Sequence, residues 1–292
     1  MFVPAGQALQ GGFAGSTNLL PEKGTSWTVG GVLTPRFIPG LSLSADYISV
    51  EVRNQIIPTT LSNASQFCYD SATFNSTAAT LGVNTCSFFD REPSTTAGTA
   101  QFNIRNGFAS GFINLGALQV RAINGAAQYK FDVSSVLGGS DAGTFELKAN
   151  VYHLINYISS SAGDFSDSQD SAGSFQRPSW ETQLSGRYEN KAFFAQWTWN
   201  WVGKGGVFNF NTGAFNTIEN SDILKLSAYS LHDVTVGANI NDRFSLQFVM
   251  RNVFDKRYAG VAGFANAASV IGAQGQVDVQ GRRFQVTARA KF

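Results

Sequence analysis

Between residues 278 and 292 the sequence alternates strictly over its last ten positions. Counting back by twos from the end gives Phe292, Ala290, Ala288, Val286 and Phe284, with Lys291, Arg289, Thr287, Gln285 and Arg283 between them. Successive side chains of a strand point to opposite faces, so the pattern predicts a strand with one apolar and one polar face. The apolar face needs either a protein core or lipid. In a soluble sandwich the polar face meets water and the chain normally runs on past the strand; here it stops on a bare aromatic. The other reading makes the apolar row lipid-facing and turns Arg283, Arg289 and Lys291 toward a lumen.

An alternating strand closed by phenylalanine resembles the signal by which outer-membrane β-barrels are recognised by the barrel-assembly machinery. Phe284, Val286, Ala288, Ala290 and Phe292 are its expected residues. Composition points the same way. Charged residues make up 14% of the 292 residues, against roughly 25% in ordinary soluble chains, while phenylalanine occurs 25 times and glycine 30 times. A mean hydropathy of -0.07 is no objection, because a barrel strand spends only alternate residues on outer-membrane lipid. The net charge of +1 gives no reason to expect nucleic acid. No apolar run reaches the roughly 18 residues of a spanning helix. Residues 1–15 have no basic start, sustained apolar stretch or small-residue cleavage site, so they do not read as an export signal. An outer-membrane protein must be exported, so either this chain is not such a protein or its beginning is missing.

Residues 1–25 show no period and read as an external loop, and 26–292 as strands with turns and loops between them. Nine principal strands are predicted, at 26–36, 41–52, 121–133, 144–158, 180–188, 193–201, 234–240, 244–251 and 278–292. In the sixth, Phe193, Ala195, Trp197, Trp199 and Trp201 alternate with Gln196, Thr198 and Asn200. Near Ile48 the apolar phase switches, which predicts a bulge or the strand leaving the bilayer. Long external loops are expected at about 55–118, 159–176, 203–225 and 254–277, the first holding a hairpin of its own at 100–104 and 108–114. Short and long connections alternate, the habit of membrane barrels with tight periplasmic turns and long outer loops. All seven prolines fall in loops, turns or, for Pro178, at a strand entrance. Trp180, Trp197, Trp199, Trp201, Tyr129 and Tyr188 are candidates for an interfacial girdle.

The fold class is therefore all-β, an antiparallel transmembrane β-barrel segment. Nine strands cannot make a complete single-chain bacterial barrel, whose strand number is even. Unpaired edges in lipid cost several kcal/mol per backbone group. The expectation is a C-terminal piece of something larger.

Three local motifs then stand in order: NLLPEKGTSW at 18–27, NVFDK at 252–256, and Gly281-Arg282 at the closing strand. With FIPGLSLSADY at 37–47, they closely resemble the C-terminal part of TonB-dependent outer-membrane receptors. The resemblance implies a 22-stranded barrel of which this chain supplies the last nine strands. It also implies an N-terminal plug and energy-coupled import of a scarce ligand: a siderophore, a cobalamin-like cofactor or an oligosaccharide. Plug, remaining strands and the box that touches the inner-membrane energiser TonB are expected partners outside this sequence, so the fragment alone is not expected to transport.

Cys68 and Cys86, the two cysteines, share the first long loop. In an oxidising exterior such a pair reads as a disulfide; a metal site is the alternative, without nearby histidine or a CxxC spacing to support it. Ligand contacts are expected from the loop residues Tyr69, Phe88, Phe89, Arg91, Phe208, Phe210 and Phe264, with packing against a plug or between loops as the competing role. Charges on the polar rows, among them Lys130, Glu146, Lys148, Arg187, Asp233, Arg251, Arg283 and Arg289, either line a ligand path or pack against a plug. His153 and His232 read as interfacial residues, so no catalytic residue, metal or cofactor is expected. The competing functions are a passive porin-like or adhesin-like barrel and, less favoured, a hydrolase at the barrel rim using His232 beside Asp233.

Overall fold

The computed structural model describes residues 11–13, 19–58, 89–91, 104–138, 142–160, 165, 168–209, 214–215, 217, 225–241, 243–256 and 280–290. In chain order the elements are β1 (Gly11–Phe13), β2 (Lys23–Leu33), β3 (Leu41–Pro58), β4 (Phe89–Arg91), β5 (Ile104–Ser110), β6 (Phe112–Asp132), a four-residue helix α1 (Ser134–Leu137) and β7 (Thr144–Ser160). There follow β8 (Gln169–Asp170), β9 (Trp180–Glu189), β10 (Phe193–Val202), β11 (Gly205–Gly206), β12 (Phe208–Asn209), β13 (Ala214–Phe215), β14 (Lys225–Leu226), β15 (Tyr229–Asn239), β16 (Phe244–Arg251) and β17 (Arg283–Ala290).

One sheet carries the order β17-β16-β15-β10-β9-β7-β6-β3-β2, with β8 paired to β7. Its nine-strand path uses the nine stretches that alternation predicts, each beside its neighbour in that series. The registers are antiparallel: Phe193 faces Ala238 and Val202 faces Tyr229 in β10–β15, and Phe244 faces Ala290 in β16–β17. Such pairing keeps each strand's apolar residues on one face.

That apolar face is not a core. Trp27, Val29, Leu147, Trp197, Val236, Leu246, Phe284 and Val286 are all exposed, Val286 at 66%. A soluble protein buries such a row, and a membrane strand turns it to lipid. Aromatic residues gather on this face at both ends of the strands. Beside the tight turns, Tyr129, Phe131 and Phe145 follow one another at ring separations of 5.2 and 5.8 Å, and Tyr188 meets Phe193 at 5.4 Å. At the loop ends, His153 stacks on Trp180 at 3.9 Å, and Trp199 neighbours Trp201 at 6.4 Å. From Phe193 to Trp201 is about 26 Å along the strand at about 3.3 Å per residue. At a strand tilt of about 40° that span rises about 20 Å, most of the roughly 25 Å height of a barrel's apolar band. The two groups therefore lie toward its opposite borders, where interfacial girdles belong.

By its internal contacts the chain forms two compact units, Met1–Thr25, Val50–Gln119, Ile158–Gln169 and Ser26–Ser49, Val120–Tyr157, Asp170–Phe292. In the first, β5 pairs in parallel with β1 (Gly11 opposite Phe108) and antiparallel with β4 (Phe89 opposite Phe108). Ile113, Asn114 and Ala117 are buried there. The second holds most of the long sheet, and its buried apolar residues include Leu154, Phe175, Val207, Phe208 and Tyr229.

Several sequence boundaries need correction. The expected loop at 55–118 is shorter at both ends, since β3 continues to Pro58 and β6 begins at Phe112. The phase switch at Ile48 falls inside a continuous strand. Beyond it β3 is largely half-buried on both faces, so alternation stops marking an apolar side. The hairpin expected within that loop does not form as drawn: 108–114 is divided between β5 and β6, and the described partners of β5 are β1 and β4. The seventh predicted strand starts earlier, at Tyr229.

Candidate functional site

On the polar face of β6, β7, β9 and β10, opposite charges and amides meet within the wall. Glu146 lies 2.9 Å from Lys148 Nζ and accepts a 2.7 Å bond from Gln128 Nε2. Arg187 stands opposite Glu146 across β7–β9 but donates to Glu189 at 3.0 Å, with its guanidinium 3.9 Å above the Phe194 ring. Gln183 donates to Asn200 Oδ1 at 2.8 Å. Exposed ion pairs contribute about 1 kcal/mol or less to stability. This row is therefore a hydrophilic lining rather than a source of rigidity.

The sequence motifs occupy a different kind of place. Asn114, 4% exposed, donates through Nδ2 to the carbonyls of Leu20 and Asn54 at 2.7 and 2.8 Å, and accepts from the Leu20 N–H at 2.7 Å. Glu22 of the first motif accepts the Ile56 N–H at 2.7 Å. In the second motif Asn252 is 1% exposed and its backbone is left-handed, φ 51°. Its Oδ1 accepts the Lys256 N–H at 2.8 Å, its Nδ2 donates to the Lys256 carbonyl at 2.9 Å, and its own N–H donates to Asp233 Oδ1 at 2.8 Å. Asp255, also left-handed at φ 49°, accepts the Arg282 N–H at 2.9 Å. Gly281 has φ 74°, and a Cβ there would lie 2.6 Å from Asp255 Oδ1. The motif turn thus fastens β15, β16 and the start of β17 together. It is architecture, and its sequence signal is Asn and Asp, residues that tolerate left-handed backbone, three apart at a strand's end.

The loops after β7 and β10 interlock. Phe175 N–H donates to Gly206 O at 2.9 Å, Gly206 N–H to Gly173 O at 2.8 Å, and Gly203 N–H to Trp180 O at 2.8 Å. Ser171 and Ser174 are almost fully buried in this knot. Arg177 reaches Ser171 Oγ at 2.7 Å and lies 3.9 Å over the Tyr157 ring. Phe208, only 2% exposed, meets Phe215 edge-on at 5.1 Å. That is the loop-packing alternative for Phe208. Phe89 and Arg91 belong to β4. Tyr69, Phe88, Phe210, Phe264, both cysteines and Phe292 lie outside the described residues.

The histidines sit on the apolar rows. His153 Nδ1 donates to the Ser179 carbonyl at 2.9 Å, which fixes its tautomer. His232 Nδ1 accepts from Trp197 Nε1 at 3.2 Å, among Trp197, Trp199 and Phe254 at ring separations of 5.7, 6.5 and 4.8 Å. Asp233, next in sequence, points to the other face and holds Asn252. An adjacent pair in a strand is divided between faces, so the two do not form a proton-relay dyad. Among the described residues no group of three or more His, Cys, Asp or Glu side chains is arranged to hold a metal ion.

A family model described as TonB dependent receptor-like, beta-barrel, matches residues 2–253. No curated protein matches the sequence. Among solved structures, the siderophore receptor PirA from Acinetobacter baumannii is similar with TM-score 0.55 at 13% identity, over 96% of this chain and 33% of that one. A variant of the ferric enterobactin receptor PfeA from Pseudomonas aeruginosa gives 0.52 at 14%, over 93% and 31%. The copper transporter OprC gives 0.52 at 15%, over 94% and 32%. The chain spans about a third of the length of these structures, and at such identities the likeness concerns the fold.

Proposed function

The chain belongs to the TonB dependent receptor-like β-barrel family, and on that premise we propose that it forms part of the wall of a receptor for energy-coupled uptake of a scarce ligand. Its family resides in the outer membrane of Gram-negative bacteria. The observation that carries the reading is the two-sided sheet: exposed apolar rows between aromatic girdles on one face, a paired hydrophilic lining on the other. The fold neighbours include two siderophore receptors and a copper transporter; the candidate cargoes here are a siderophore, a cobalamin-like cofactor or an oligosaccharide. In this reading the plug, the remaining strands and the contact with TonB come from outside this sequence. Tyr69, Phe88, Phe89, Arg91, Phe210 and Phe264 are proposed as ligand-contacting loop residues, Phe208 as packing against Phe215 within its own loop, and Cys68–Cys86 as a disulfide in the first long loop.

The test is uptake by cells expressing the full-length protein that contains this sequence. The probes are radiolabelled ferric catecholate and hydroxamate siderophores, copper(II), cyanocobalamin and maltoheptaose, each with and without a protonophore. The expected result is uptake of one probe class that collapses with the protonophore. Uptake indifferent to the protonophore would instead establish the passive, porin-like alternative.

A further inference from the structure

On the apolar face the wall is not uniformly bulky. Ala127 of β6 and Ala149 of β7 form a low floor, and the registers surround it. Ala149 lies opposite Leu184 and Leu147 opposite Gly186 in β7–β9, while Gly186 lies opposite Trp197 in β9–β10. Gly186 leaves space that Leu147 leans into, for a Cβ there would stand 3.5 Å from Leu147 Cδ2. The result is a groove of about 310 Å³ walled by Tyr129, Leu147, Leu184 and Trp197. Leu147 and Trp197 keep 46% and 42% of their surface exposed, so the walls stand up around the floor. The polar neighbours Gln128 and Lys148 belong to the opposite row, where Glu146 engages both.

We propose that this groove seats one acyl chain of an outer-membrane lipid, as a defined site distinct from the freely exchanging lipid around the barrel. The groove is continuous with the membrane-facing rows, so bilayer hydrocarbon is what covers it. An acyl chain fits a narrow, wholly apolar trough with no hydrogen-bonding demand. A protein partner needs on the order of 1,000 Å² of complementary surface, far more than these few side chains offer. A chain seated in the trough keeps close contact with the flanks of Leu147 and Trp197 that passing lipid makes only briefly. The dispersion attraction summed over those contacts, rather than any removal of surface from water, favours a resident chain. The site rests on the outer-membrane reading and adds to it.

Trp197 supplies the probe. The full-length protein is purified from outer membranes, which also shows independently whether it resides there. It is then placed in detergent micelles carrying increasing mole fractions of phosphatidylethanolamine with dibrominated acyl chains, which quench tryptophan on contact. The difference between the protein and its Trp197→Phe variant isolates the Trp197 signal. That signal should be half-quenched at a mole fraction about tenfold lower than the other tryptophans require, and Ala149→Leu or Ala127→Leu, which raise the floor, should remove the difference. Trp197 following the same curve as the other tryptophans overturns the proposal. So does an undiminished difference in either floor variant that still shows heat-modifiable migration.

Discussion

Replacing Asn252 separates the two things this residue does. Its side chain closes two hydrogen bonds onto Lys256, at 2.8 and 2.9 Å, and its backbone occupies φ 51°. Each bond contributes about 1 kcal/mol net. The Tyr229 hydroxyl also donates to the Lys256 carbonyl, at 3.3 Å, so that acceptor keeps a partner and the figure stays at that level. Alanine adds roughly 1 kcal/mol for left-handed backbone, whereas glycine takes that conformation without steric cost. Asn252→Ala is therefore expected to destabilise by about 3 kcal/mol and Asn252→Gly by about 2 kcal/mol. Urea titration of the folded full-length protein in vesicles, followed by heat-modifiable migration, reads both as midpoint shifts at constant slope. Were both variants to unfold with the parent, the turn would not be fastening β15, β16 and β17. Equal losses for the two would remove the backbone contribution and leave the hydrogen bonds.

Gly116→Val should destabilise by about 1–3 kcal/mol through overpacking, since a Cβ there falls 2.8 Å from both Gln55 Cβ and Ile57 Cγ2; a neutral result in the same titration would contradict the packing of β6 on β3. Cys68→Ser and Cys86→Ser should each expose one thiol to a maleimide added to whole cells, while the parent stays unlabelled until reduced; labelling of the unreduced parent would exclude the disulfide. Deleting Phe292 from the full-length protein should impair insertion into the outer membrane, and unchanged heat-modifiable migration would show that the terminal aromatic is dispensable. Glu146→Gln should shift stability by no more than about 1 kcal/mol, a larger effect in low-salt titration meaning that the polar row braces the wall.

The nine-strand order, the sense of the two faces and the alternation of short and long connections were legible because each depends on local pattern. A strand's side chains alternate whatever it pairs with, so Phe284 and Val286 announce an apolar row, and Arg283 and Gln285 a polar one, before any partner is known. Tertiary structure decided what alternation does not encode. Past Ile48 both faces of β3 meet neighbours, and the period no longer reports a boundary. Asn252 and Asn114 look like ordinary loop and strand polars until burial and partners up to 94 positions away along the chain give them work. The aromatic loop residue Phe208 reads as a ligand contact in sequence, yet the interlocked loops bury it against Phe215. The acyl-chain groove belongs to the same class, because Ala127, Ala149, Leu184 and Trp197 come from four strands, and only the register between them makes a floor and walls.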